Sequence, residues 1–172
     1  MKLYPDDYVG RITDYDFDAA YVRGKRAVLF DIDNTLVPHG APADEDIKRF
    51  FGRLSARGFR VCAVSNNKEP RVRSFCEAVG APYICQAGKP MADGYRRALK
   101  GLEASAMEAV SFGDQISTDI IGANLAGIES VLVRPVDRST DEIQIKFKRI
   151  FEKPIIKAFF RSKKLAINDY FR

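Results

Sequence analysis

The chain has 172 residues, 46% of them hydrophobic, which suits a single α/β domain with a full core. Its three cysteines, Cys62, Cys76 and Cys85, form no CxxC pair and have no histidine cluster nearby, which excludes a disulfide frame or a zinc site and points to reduced thiols. With a net charge of +5, no apolar run near the ~20 residues that span a bilayer, and an opening MKLYPDDYVG without the apolar core of a signal peptide, the expected location is the cytoplasm.

In chain order, residues 1–25 read as a lead segment. AVLFDID at 27–33 is a short apolar run, the pattern of a strand buried on both faces. Ile47, Phe50, Phe51 and Leu54 then follow helical spacing, with Asp44 placed to cap the start and Gly58 to end it. FRVCAVS at 59–65 is a second strand. Val72, Phe75, Cys76 and Val79 repeat the helical spacing, and Gly80 stops it. PYIC at 82–85 is a weaker strand pattern. Residues 91–102 predict a helix, AVSFGD at 109–114 a strand, 117–126 a helix closed by Gly127, and SVLV at 130–133 a further strand. Such alternation implies βαβ units, hence a three-layer α/β/α, Rossmann-like core over 26–136 with a parallel sheet of about five strands. A basic helical tail, 137–172, completes the single domain and is interrupted by Pro154. From 141 onward it holds nine Lys and Arg against four Asp and Glu, the whole of the net charge.

Ligands of parallel sheets bind at the carboxyl ends of the strands. The polar residues found there, in order, are Asp31, Asp33 and Thr35, then Ser65, then Lys89 in a loop, then Asp114 and Asp119. Carboxylates gathered this closely raise one another's pKa unless a cation intervenes, and a hard ion with oxygen ligands, Mg²⁺, suits them. Lys89 and the Ser65 hydroxyl offer donors to phosphate oxygens. Each residue also has a structural alternative: Thr35 as cap of its turn, Asp119 as a first-turn acid on a helix dipole, Lys89 as a solvated loop residue. His39, the sole histidine, follows Pro38 in a loop, and no chemical step requires it.

DIDNT, VSNN, GKP and GDQISTD resemble, in order and spacing, the four motifs of the haloacid dehalogenase (HAD) phosphatases. The opening LYPDDYV and the GDQ followed by TD are similar to the YqeG-type class IIIA members, relatives of phosphatidylglycerophosphate phosphatases. The resemblance implies that Asp31 attacks phosphorus and that Asp33 protonates the leaving oxygen and later activates water. It implies Mg²⁺ held by Asp31, the Asp33 carbonyl and Asp114. Ser65, the Asn66 N–H and Lys89 would hold phosphoryl oxygens, while Thr35 and Asp119 orient the loop and the metal's waters.

Only 32 residues separate Asp33 from Ser65, and 24 separate Ser65 from Lys89. A helix and a strand consume each interval, so no cap domain fits. An open site closes by oligomerisation or takes a large substrate, such as a phosphoprotein, a nucleic-acid end or a phospholipid head group. Large apolar residues interleave with Lys and Arg in the tail, which suits peripheral contact with an anionic membrane and a lipid-linked phosphomonoester. The same tail also reads as a helix packed on the sheet with a solvated basic face. A soluble sugar phosphate or nucleotide remains an alternative substrate, and a non-catalytic adaptor with this fold an alternative function. Receiver domains share the acidic pair, Ser or Thr, and Lys, but separate the pair from the acceptor by a βα unit. No nucleic-acid partner is expected, and the oligomeric state is left open.

Overall fold

The apolar runs become neighbouring strands of one sheet. In a computed structural model, which describes residues 2–167 and 170, the strands are β1 (Asp7–Val9), β2 (Ala27–Phe30), β3 (Arg60–Val64), β4 (Tyr83–Ile84), β5 (Ala109–Gly113) and β6 (Glu129–Val133). All pair in parallel in the order β1-β6-β5-β2-β3-β4. The helices are α1 (Phe17–Val22), α2 (Glu45–Ala56), α3 (Glu69–Val79), α4 (Asp93–Gly101), α5 (Ile121–Leu125) and α6 (Ile143–Lys163).

Alternation along β2 sorts the layers. Val28 and Phe30 pack with Phe50, Phe51, Leu54, Val72 and Phe75, the apolar faces of α2 and α3. Ala27 and Leu29 point the other way, to Tyr95, Ala98 and Leu99 of α4 and Ala123 of α5. Leu132 of β6 shares a third cluster with Ile156, Phe159 and Phe160, which docks α6 onto the sheet. The three-layer α/β/α expectation holds, and among the described residues no cap domain is inserted. Helix ends follow their chemistry: the Asp44 side chain accepts from the Ile47 N–H at 2.8 Å, and Gly80 ends α3 with φ 66.

One expectation is refined and another corrected. The expected sheet of about five strands has six among the described residues, because β1, inside the expected lead segment, pairs with β6 through Asp7↔Val131 and Val9↔Val133. Three residues flanked by Asp6 and Gly10 give too little apolar pattern to betray an edge strand. Nor does Pro154 interrupt the tail: α6 runs 21 residues through it. The expected tail reaches 172, and its positions 168, 169, 171 and 172 lie outside the described residues. Among the described residues no helix is long and apolar enough to cross a membrane.

Candidate active site

β2 sits centrally between β3 and β5, so the loops leaving these three strands meet over one edge of the sheet. That edge gathers Asp31, Asp33, Ser65, Asn66, Lys89 and Asp119 around a recess of about 140 Å³. Asp114 lies directly beneath, wholly buried.

Lys89 is the electrostatic hub. Its Nζ donates to Asp31 Oδ1 at 2.6 Å and to Asp119 Oδ1 at 2.7 Å. Its main chain is pinned by Asn66, whose Oδ1 accepts the Lys89 N–H at 2.8 Å while Nδ2 donates to the Lys89 carbonyl at 3.0 Å. The Asn66 side chain therefore couples the second motif to the third, a role apart from the backbone donor expected of it. Ser65 Oγ accepts the Asn67 N–H at 3.1 Å, shaping the turn that faces the recess. Thr35 Oγ1 lies 3.4 Å from Asp31 Oδ2 and 3.3 Å from Asp114 Oδ1, bridging first and fourth motifs.

The Asp33 carboxylate stands apart from that network. Its Oδ1 accepts from the Gly40 N–H at 2.7 Å and Arg71 Nη2 at 2.9 Å, and its Oδ2 accepts from Asn67 Nδ2 at 2.6 Å. Gly113 explains how Asp119 comes so close: a Cβ there would lie 2.2 Å from the Asp119 Cβ. The Tyr95 hydroxyl, buried beneath, donates to the Asp119 carbonyl at 3.1 Å.

One side-chain oxygen from each of Asp31, Asp114 and Asp119 lies within 4.8 Å of the other two. Asp119 therefore stands among the carboxylates that could hold a cation, closer in than the orienting place expected of it. Burial, opposed by Lys89 and reinforced by the neighbouring Asp119 and Asp114, pushes Asp31 up to about 8. Burial likewise pushes Asp114 up to about 7, against the pull of Arg149. Four carboxylates (Asp31, Asp114, Asp119 and Asp141) here meet two cationic side chains, Lys89 and Arg149. The donor set fits a hard divalent cation: all oxygen, and short of positive charge by two.

Several participants were not anticipated. Asn67 and Arg71 hold Asp33, Asn34 binds Asp141, and Arg149 of α6 reaches Asp114. His39 borders the recess with its Nε2 3.5 Å from Glu142 Oε1, as do Ile145 and Lys148. The second Asn of VSNN was a visible signal for Asn67, and the Asn of DIDNT for Asn34; nothing local marks Arg71 or Arg149.

A doubly wound parallel sheet with an acidic cluster and a lysine at its carboxyl edge defines a Rossmann-like core with a site suited to phosphoryl groups. A family model described as haloacid dehalogenase-like hydrolase matches residues 40–127, a stretch holding Ser65, Lys89, Asp114 and Asp119, with Asp31 just upstream. The chain is 35% identical over 158 residues to "Probable phosphatase YqeG" of Bacillus subtilis (strain 168), covering 91% of each chain. It belongs to the haloacid dehalogenase-like hydrolases and is a phosphatase of that family. The fold is shared with a HAD family hydrolase from Deinococcus radiodurans R1 (TM-score 0.57, 16% identity, 72% of this chain and 87% of that one). It is shared too with the deoxy-D-mannose-octulosonate 8-phosphate phosphatase of Haemophilus influenzae (TM-score 0.54, 13% identity, 88% and 99%).

Proposed function

We propose that this phosphatase is Mg²⁺-dependent, works through an aspartyl-phosphate on Asp31, and acts on a phosphomonoester head group at an anionic lipid surface. The observation that carries the chemistry is the Lys89 ammonium shared by Asp31 and Asp119 within an acidic cluster that Lys89 and Arg149 together leave short of positive charge. Mg²⁺, held by Asp31, Asp114 and the Asp33 carbonyl, supplies charge neutralisation for the phosphate dianion.

Asp31 carries out the first displacement: a carboxylate oxygen bonds to phosphorus as the ester P–O bond breaks, and Asp33 delivers a proton to the departing alcohol oxygen. In the second, Asp33 takes a proton from water, whose oxygen bonds to phosphorus as the Asp31–phosphorus bond breaks, releasing inorganic phosphate. Ser65, the Asn66 N–H and Lys89 bind the non-bridging oxygens. Lys89 also keeps Asp31 from repelling its substrate.

The lipid surface is supported by α6. Ile143, Phe147, Ile150 and Phe151 repeat at i, i+4, i+7 and i+8 and are 73%, 61%, 55% and 77% exposed. Exposed Lys146, Lys153 and Lys157 accompany them on the same helix, which matches an apolar stripe for acyl chains with cations for anionic head groups. The test is purified protein with Mg²⁺ against a lipid phosphomonoester in vesicles, sugar phosphates, nucleotides and phosphopeptides, with Asp31→Asn as the blank. The vesicle substrate is expected to turn over fastest, and neither chelated wild type nor Asp31→Asn should exceed a few per cent of full activity. Full turnover in excess EDTA sinks the metal mechanism; preference for soluble sugar phosphates sinks the lipid assignment.

A further inference from the structure

In an uncapped phosphatase core the wall beside the fourth motif has to come from somewhere else in the chain. Here it comes from α6. Arg149 Nη2 donates to Asp114 Oδ2 at 2.5 Å and Nη1 to the Asp114 carbonyl at 3.3 Å. The other edge of the guanidinium meets Asp141, Nε to Oδ2 at 2.5 Å and Nη2 to Oδ1 at 3.1 Å. Asp141 in turn accepts from Asn34 Nδ2 at 2.6 Å, and Asn34 directly follows Asp33 with φ 64, a left-handed turn residue. One helical turn beyond Arg149, Glu152 Oε1 accepts from the Ser117 N–H at 2.8 Å and Oγ at 2.6 Å. The Arg149 side chain is 11% exposed, Asp141 1% and Asp114 0%, so these are buried, fixed contacts.

The geometry points to Arg149 as a positioning residue of the metal site: its fork holds one oxygen of Asp114 and leaves the other, which lies 3.3 Å from Thr35 Oγ1, to the cation. This rests on the metal-dependent phosphatase reading above. Two features favour it over simple fold glue. The fork grips the side-chain oxygen and the main-chain carbonyl of the same residue, which sets the carboxylate's rotation as well as its place. The same guanidinium, through Asp141 and Asn34, also ties the loop that carries Asp33, so one side chain spaces first and fourth motifs. Hydrogen-bonded partners that orient a metal-ligating carboxylate are worth about 10–100-fold in metal affinity. A lysine keeps the charge but has no planar fork, so it does not substitute.

The test is Mg²⁺ titration of the full chain by calorimetry, with Tm recorded in chelator. Arg149→Gln and Arg149→Lys should each weaken Mg²⁺ binding by about 10–100-fold, and the lysine variant should hold its chelated Tm better than the glutamine one. Should Arg149→Gln fail to fold, Asp141→Asn, which loosens the fork's second anchor, is expected to weaken Mg²⁺ severalfold with a near-native Tm. Wild-type affinity in Arg149→Lys, or unchanged or tighter binding in Arg149→Gln (in Asp141→Asn, if Arg149→Gln does not fold), overturns the inference while leaving the phosphatase reading standing. Wild-type protein that takes up no Mg²⁺ overturns both.

Discussion

Asp31 carries two opposed demands: as the proposed nucleophile it must be ionised, yet it is largely buried with two other carboxylates close by. Burial and those neighbours lift it from the ordinary 3.8 to about 8 in the metal-free protein, and Asp114 from 3.8 to about 7. Between those values the folded state binds more protons than the unfolded one, so stability is lost as pH rises from about 4 towards 8. In chelator, Tm is therefore expected to fall over that range. Mg²⁺ should flatten the slope by replacing the protons, and Asp31→Asn should remove part of it without metal. Thermal melts at several pH values, with and without Mg²⁺, check this; a chelated Tm that is level or climbs towards pH 8 sinks it. Asp31, Ser65, Lys89 and Asp114 were legible because each stands at or after an apolar run, where a parallel sheet must present its chemistry. Arg149 was not: it lies 35 residues beyond Asp114 in a stretch whose local pattern says only basic and helical, and its partner is chosen by tertiary packing.

The elements that build the edge were legible to the extent that burial shows as pattern. β2 and β5 are buried along their whole lengths and read as mostly apolar runs, whereas β1 alternates too briefly to be seen. The helix expected over 117–126 begins instead as a π-helical turn, Ile116–Ile120, before α5. That wider turn carries Asp119 back over β5, where its carboxylate meets Lys89 and its Oδ2 accepts the Gln115 N–H at 3.0 Å. Gly113 at the end of β5 is what permits the approach, since an added Cβ would fall 2.2 Å from one Asp119 atom and 2.4 Å from another. Gly113→Ala should cost about 1–3 kcal/mol by overpacking, or roughly 2–4 °C of Tm for each kcal/mol in a chain of this size. Because the displaced group is Asp119, activity should fall by at least about tenfold even where the protein is fully folded. A variant with lowered Tm but undiminished turnover would show that Asp119 need not sit against β5.

At the scale of the molecule, the two faces of α6 differ. Glu152, Ile156, Phe159 and Phe160 are buried against the core, Arg149 reaches Asp114, and Ile145 and Lys148 border the recess. The opposite stripe, Ile143, Phe147, Ile150 and Phe151, remains open to solvent. The exposed apolar side chains of the basic tail are thus on the same helix that borders the recess, on the face turned away from the core, a placement that composition alone does not supply. On the lipid reading proposed above, a surface engaging that stripe would tether the helix whose inner face borders the recess, and so raise the concentration of head groups around Asp31. Each Lys near an anionic surface contributes about 1 kcal/mol, so neutralising Lys146, Lys153 and Lys157 should weaken vesicle binding by roughly a hundredfold. Phe147→Ser with Phe151→Ser should weaken it independently, through the apolar term. Both sets avoid the residues that hold Asp114 and should leave turnover of a water-soluble phosphomonoester unchanged. Binding by co-sedimentation should fade with salt, as the Debye length shrinks from about 10 Å at 0.1 M towards about 3 Å at 1 M. If wild type ignores anionic vesicles at low salt, or both variants bind as well as wild type, the outer face of α6 is not a lipid surface and the substrate has to be sought among soluble phosphomonoesters.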